Sequence, residues 1–340
     1  MAVDFYYYQQ LDKKKKILYK SMYDAVTKYE SSIAITNLGY SQDDINQVYQ
    51  AVLNDNPHFF YFDQRSIKYR WNQDFVEIYF NYLLSISDCM KFAKKINESA
   101  EKILEYVALS DKSDYEKVRG IHDILSGRVS YAYEWLNATV GMEFLYAHSI
   151  LGVFCKKKSV CEGIAKAYKL LLNALGVKCI VVCGKFRSEN GHYGEHAWNI
   201  VKIDGKTVHI DPTNDICNST KDTINYDYFC VTDKQLSKTH SGYCGVPACS
   251  DNCFDYFNMN GTDMLSEKQL FKYVQKKVTT IPCEIYMRIN YECGKSFTSY
   301  ANNIRNFIVN EIKNSEYGLV FNAKYNEQQK TIRISVNIRV

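Results

Sequence analysis

Proline is scarce in this chain, with 4 among 340 residues, and no stretch repeats or falls into low complexity. Without Pro-rich linkers, its domains are expected to pack together rather than hang loosely. No apolar run reaches the roughly 18 residues that a spanning helix requires, so no membrane span is expected. The 16 glycines are nowhere gathered into a phosphate-cradling loop or a dinucleotide fingerprint, and no D-x-D-x-D-G loop offers itself to calcium. No cofactor is implied. Charge of one sign is also lacking, since 42 Lys+Arg against 38 Asp+Glu leave a net charge of +4. That excess is too small to point to a nucleic-acid partner, and Lys13 to Lys16 reads as a solvated helix face. The first 30 residues hold no signal peptide, because Phe5 to Tyr8 is short and lysines follow it.

What is present suffices for a large core: 46% of residues are hydrophobic and 14% aromatic, enough for two or three domains. Helices are expected over 10–31 and 41–54, the second opened by Ser41 with Asp43 and Asp44 in its first turn. Strand-like runs follow at Phe59 to Phe62, Ser66 to Trp71 and Phe75 to Phe80, then a long helix from Asp88 to Leu109. Near the C-terminus, Cys283 to Tyr291, Leu319 to Tyr325 and Thr331 to Ile338 alternate as strands around a helix carrying Tyr300, Ile304, Phe307, Ile308 and Glu311. The expected domains are residues 1–100, 101–262 and 263–340, the outer two small α/β units.

Three residues stand out. Ile164, Ala167, Tyr168, Leu171 and Leu175 fall at helical spacing and Gly176 closes the pattern, so Cys161 lies in a first helical turn. Unpaired N–H groups and the positive dipole end favour a thiolate there. Alone, such a cysteine is more often a small buried hydrophobe. After Gly176, Val177 to Gly184 reads as a buried strand, Glu195 to Ile203 as a second, and Lys206 to Asp211 as a third that turns back through Asp204-Gly205 and stops at Pro212. His196 then opens one strand where Asp211 ends its partner, so a carboxylate can orient the imidazole. If the helix bearing Cys161 abuts that end, a Cys–His–Asp triad results.

Val160-Cys161-Glu162-Gly163, Glu195-His196-Ala197-Trp198-Asn199-Ile200-Val201 and His209-Ile210-Asp211-Pro212-Thr213 resemble the core motifs of the transglutaminase-like superfamily. Val118 to Leu125 is similar to the helix preceding the core in many bacterial members, and Asn54 to Tyr61 to an N-terminal region often found with it. The resemblance implies a papain-like α+β fold, a nucleophile-bearing helix packed on an antiparallel sheet, with Cys161 as nucleophile, His196 as general base and acid and Asp211 as orienter. The sequence departs from the pattern at Tyr131-Ala132, where members carry an aromatic-Asp pair, and at Asn214, where Trp is usual. Calcium control, as in animal members, has no support here.

The expected function is acyl transfer on protein or peptide amides through a thioester. The alternatives are a cysteine peptidase or amidase with water as acceptor, and a silent binding module that keeps the fold. The Cys161 N–H can donate to the oxyanion, with Tyr131 and Tyr146 as candidates for a second donor, and Trp198 as a shield for the His–Cys pair. Lys156 to Lys158 read as a solvated loop rather than a device lowering the thiol pKa. With 12 cysteines and Cys161 free, one more must stay unpaired. Cys179 and Cys183 suggest core packing. Cys244, Cys249 and Cys253 after His240 offer zinc-type ligands without a C-x-x-C pair, so no metal is expected. In similar bacterial proteins the opening segment follows a secretion signal, which leans the setting toward extracellular or cell-surface over cytoplasmic.

Overall fold

The computed structural model describes residues 5–61, 63, 67–108, 112–188, 191, 193–220, 222–290, 296–311 and 319–338. After a short turn of helix at Tyr6–Gln10, α1 (Lys13–Lys28) is capped by Asp12 and stopped by Tyr29, whose φ of 58° is left-handed. The helix expected over 10–31 is therefore two pieces. A strand that the sequence reading passed over, β1 (Ser32–Thr36), comes next, followed by α2 (Gln42–Asp55), where Ser41 and Asp44 form a capping box. The run at Phe59 is not a strand: Phe59, Phe60 and Tyr61 are buried in a turn, and Phe62 lies outside the described residues. Their aromatic bulk belongs to the core without any ladder. β2 (Lys68–Trp71) and β3 (Phe75–Tyr79) pair antiparallel, and β3 also pairs with β1. α3 (Ile86–Ala108) and α4 (Asp114–Arg128), the latter opened by a Ser113–Glu116 capping box, lead into the centre of the molecule.

There α5 (Cys161–Ala174) lies against a sheet ordered β6-β5-β4-β7, made of β4 (Cys179–Arg187), β5 (Tyr193–Ile203), β6 (Lys206–Ile210) and β7 (His240–Ser241), all antiparallel. Asp204 and Gly205, both with positive φ, make the two-residue turn that joins β5 to β6. Asn199 fastens the helix to the sheet by donating to the carbonyls of Ala165 and Ile180. One apolar cluster runs from Leu18 and Met22 of α1 through Val48 and Val52 of α2 to Tyr168, Leu171 and Leu172 of α5, so the N-terminal helices share the core of the sheet layer. Directly after β6 comes α6 (Pro212–Asn218). The fold is α+β.

The C-terminal part contains α7 (Glu267–Lys277), β8 (Cys283–Ile289), α8 (Phe297–Glu311), β9 (Leu319–Asn326) and β10 (Thr331–Ile338). Its sheet order is Asp263–Met264, β8, β10, β9. Strand alternation divides the sheet in two. Ile285, Met287, Ile332, Ile334 and Val336 pack on Leu270 and Val274 of α7 and Ile304 and Ile308 of α8. The opposite face carries Tyr286, Arg288 and Arg333 and docks onto the central layer. Tyr286 Oη donates to Asp227 at 2.7 Å, Arg288 pairs with Asp255 at 2.6 Å, and Arg333 donates to the Ile224 carbonyl. Among the described residues, no helix is long and apolar enough to cross a membrane.

Candidate active site

Cys161 is the first residue of α5, half-buried, and the residue before it, Val160, is extended and offers no side-chain cap. Ser41, Ser113 and Thr232 each close a capping box on their own helices. Leaving α5 uncapped keeps its first N–H groups and dipole end directed at whatever lies beside the thiol. Gly163 permits the placement. A Cβ there would meet the Ser149 carbonyl at 2.6 Å and the Ala147 carbonyl at 3.0 Å, so only glycine lets the helix start press so close to that backbone.

His196 and Asp211 meet as the hairpin predicts. The imidazole Nε2 lies 2.8 Å from Asp211 Oδ2, and the Cys161 thiol is near enough to the ring to raise its pKa. With Nε2 committed to the carboxylate, Nδ1 is the nitrogen left for the thiol. Burial pulls the His196 pKa down, but the charge and hydrogen bond of Asp211 and the neighbouring Cys161 thiol outweigh it and raise it to about 10. Asp211 resists burial in the same way, held well below the usual carboxylate range by His196 and His240. Besides His196, its carboxylate takes the N–H groups of Thr213 at 3.0 Å and Asn214 at 3.2 Å, because Asp211 is also the N-cap of α6.

Two further donors on Oδ2 escaped the sequence reading. His240 Nε2 lies 3.0 Å away and Asn214 donates through its side-chain amide. His240 is fully buried among Phe186, Trp198 and Tyr228, and burial holds its pKa below the usual value, so the ring is neutral. It reaches the site because Phe186 and His240 are partners in the β4–β7 ladder, a pairing with no local signal. Trp198 lies nearly parallel to His196 at 6.1 Å and donates from Nε1 to His209, whose other nitrogen meets Asp233 at 2.8 Å. The indole is thus fixed against the imidazole, where it can exclude water.

Of the two tyrosines considered as oxyanion donors, Tyr131 is near enough to Cys161 to feel its charge. It is brought there by the pairing of Ser130–Tyr131 with Lys158–Ser159, and burial together with the thiol keeps its phenol protonated. Tyr146 is engaged elsewhere, stacked on Trp135 with Lys156 over its ring at 4.9 Å. Lys158 pairs with Glu134. The eleven described cysteines are free thiols, and Cys293 lies outside the described residues. Cys179 is buried, but Cys183, opposite Ala197 in the middle of the β4–β5 ladder, is exposed.

Among the described residues, two groups offer three possible metal ligands, His196–Asp211–His240 and His209–Asp233–Cys249. In the first, Asp211 already accepts hydrogen bonds from His196, His240, the Asn214 amide and the N–H groups of Thr213 and Asn214, and in the second His209 uses both ring nitrogens. The set of Cys244, Cys249 and Cys253 with His240 does not converge.

A polar cleft of about 620 Å³ opens next to the triad. Asn214 and Phe186, which touch Asp211 and His196, form one end, and Asn322, Lys324, Arg333 and Ser335 of the C-terminal sheet form the far wall.

A thiol helix packed on an antiparallel sheet that supplies imidazole and carboxylate is the papain-like α+β arrangement. Residues 101–212, from the end of α3 to the start of α6, match the family model described as the transglutaminase-like superfamily. No curated protein shows significant similarity to the chain. Among solved structures it is similar to a TGase at 18% identity and a TM-score of 0.32, covering 44% of each chain. It is similar to a candidate cysteine protease from Cytophaga hutchinsonii at 16% identity and a TM-score of 0.27, covering 44% of this chain and 61% of that one. A candidate protease from Parabacteroides distasonis matches at 15% identity and a TM-score of 0.25, covering 41% of this chain and 29% of that one. The chain thus spans less than two thirds of each of these structures.

Proposed function

We propose that the protein is a cysteine-dependent acyl-transfer enzyme acting on protein or peptide amides. The reading rests on the His196–Asp211 hydrogen bond with the Cys161 thiol beside the imidazole at an uncapped helix start. The Cys161 thiolate attacks the amide carbonyl, and the oxyanion that forms is met by the Cys161 N–H and the protonated Tyr131 phenol. Imidazolium His196 then gives its proton to the leaving amine as the carbon–nitrogen bond breaks, leaving a thioester on Cys161. His196, again a base, takes a proton from the next nucleophile. Water returns a carboxylic acid, and a primary amine returns a new amide.

The test is intact-mass analysis and peptide mapping of a mixed protein pool incubated with the enzyme and a primary-amine probe, beside a Cys161→Ala control. Probe incorporated at glutamine identifies transamidation, and new termini identify a peptidase. A pool unchanged by the wild type relative to Cys161→Ala would contradict the proposal for that pool's substrates.

A further inference from the structure

We infer that the cleft beside the triad takes an acidic polypeptide, with the C-terminal sheet as the recognising wall. This rests on the acyl-transfer reading above. The face of the β9–β10 hairpin turned to the cleft places Asn322 opposite Ser335, Lys324 opposite Arg333 and Asn326 opposite Thr331. Like charges directly across a ladder destabilise a sheet, so the Lys324–Arg333 pair costs stability in the free protein. Arg333 is largely compensated: its guanidinium lies 3.7 Å over the Tyr286 ring, 3.4 Å from Glu284, and bonds the Ile224 carbonyl. Lys324 is exposed and forms no ion pair among the described residues.

Nothing else in the cleft answers that charge. The one carboxylate among its described lining residues, Asp227, is already bonded by Tyr286 at 2.7 Å, Asn326 at 3.0 Å and Asn225 at 3.4 Å. The rim carries both signs, with Arg187 next to lining residue Ser188 and donating to the Lys238 carbonyl, and Asp222 and Glu327 next to Thr223 and Gln328, so among the described residues the unpaired charge within the cleft is that of Lys324. An incoming carboxylate therefore relieves repulsion as well as forming a charge-assisted bond. Between Lys324 and the triad, the amides of Asn214, Asn218 and Asn322 can bond the groups of an extended peptide backbone. A peptide held this way brings an amide toward Cys161 with its acidic flank on the C-terminal sheet.

The test is fluorescence anisotropy on the full chain carrying Cys161→Ala, which binds without turnover. The probes are two labelled decapeptides with a central glutamine, one flanked by glutamates and the other by glutamines in their place. The acidic peptide is expected to bind about fivefold more tightly at low salt, and the preference to fade as salt rises. In Lys324→Glu, which relieves the repulsion with Arg333 and so folds, the preference should vanish and a lysine-flanked peptide should gain. Equal affinities, no binding of the acidic peptide up to about 1 mM, or a preference that survives Lys324→Glu would each overturn the proposal. So would heparin binding more tightly than either peptide while the glutamates make no difference. No covalent step occurs in this assay, so a chain that binds acidic peptide but turns nothing over refutes the chemistry alone.

Discussion

Replacing His240 with alanine should raise the pH at which His196 loses its proton. Asp211 Oδ2 is shared by three donors, His196 at 2.8 Å, His240 at 3.0 Å and the Asn214 amide. A hydrogen bond to a charged group contributes about 1.5–3 kcal/mol. Asp211 stays ionised throughout, so only the part of the His240 bond that competes for Oδ2 reaches His196. Taking that part as about a third gives about 0.5–1 kcal/mol, which at roughly 1.4 kcal/mol per pH unit is a displacement of about half a unit. Freed of His240, the carboxylate holds the imidazolium more firmly. The pH at which His196 loses its proton should therefore rise by that amount. The assay is the titration of the His196 ring protons followed by NMR against pH. Alanine also leaves a hole among Phe186, Trp198 and Tyr228, so a merely structural role would lower the fraction of folded protein without moving that titration. Glutamine can place an amide N–H near the position of Nε2 and should restore the wild-type profile. An unmoved His196 titration in His240→Ala, or a His240→Gln titration that matches the alanine variant, would refute the reasoning.

Asp211→Asn should cut turnover by about four orders of magnitude, as related triads do when the orienting acid is neutralised. Asparagine caps helices as well as aspartate, so α6 should survive and the circular dichroism spectrum should not change; an undiminished rate would assign the orienting role elsewhere. Stability should follow the coupled charges. His196 is raised from 6.5 to about 10 on folding, so its contribution is full below pH 6.5, shrinks as pH rises and is gone above about 10. Asp211, depressed from 3.8, contributes above that value and loses its contribution as pH falls. The difference in Tm between wild type and His196→Ala should therefore be greatest between pH 3.8 and 6.5, and a difference that does not vary with pH would contradict the pairing. Gly163→Ala forces a methyl group against the Ser149 and Ala147 carbonyls and should cost about 1–3 kcal/mol in urea unfolding. A midpoint equal to that of wild type would mean the start of α5 can withdraw from that backbone.

What could be read from the sequence was local. Cys161 announced itself through one helix pattern, and His196 and Asp211 through one hairpin whose turn residues fix the register, so no long-range pairing had to be guessed to bring the last two together. His240 had no such signal. It joins through a two-residue edge strand 29 residues beyond Asp211, and its neighbours in sequence are cysteines that suggest zinc until the ladder assigns it to Phe186. Asn214 was visible only as a departure from the superfamily pattern, and its bond to Asp211 follows from the turn of α6. β1 was missed because its side chains are at most half-buried, which leaves little alternation to read. The aromatics at Phe59 to Tyr61 misled for the opposite reason: they are buried as a strand's would be, but the burial comes from a turn packed on α1.

In the proposed reading, α6 ties recognition to chemistry. Asp211 is its N-cap, Asn214 in its first turn bonds the same carboxylate, and Asn214 and Asn218 line the cleft that ends at Lys324. Asp215 on this helix accepts the N–H of Tyr228 at 3.1 Å, and Tyr228 faces both the cleft and His240. The C-terminal sheet bears on the same region through Tyr286, which bonds Asp227 and Asn225, one and three residues from Tyr228. A ligand that pulls on the cleft therefore loads the element that orients the triad carboxylate. Substitutions on the β9–β10 face should then alter kcat as well as KM for a cleft-filling substrate, whereas a small amide that never reaches that face should feel neither effect.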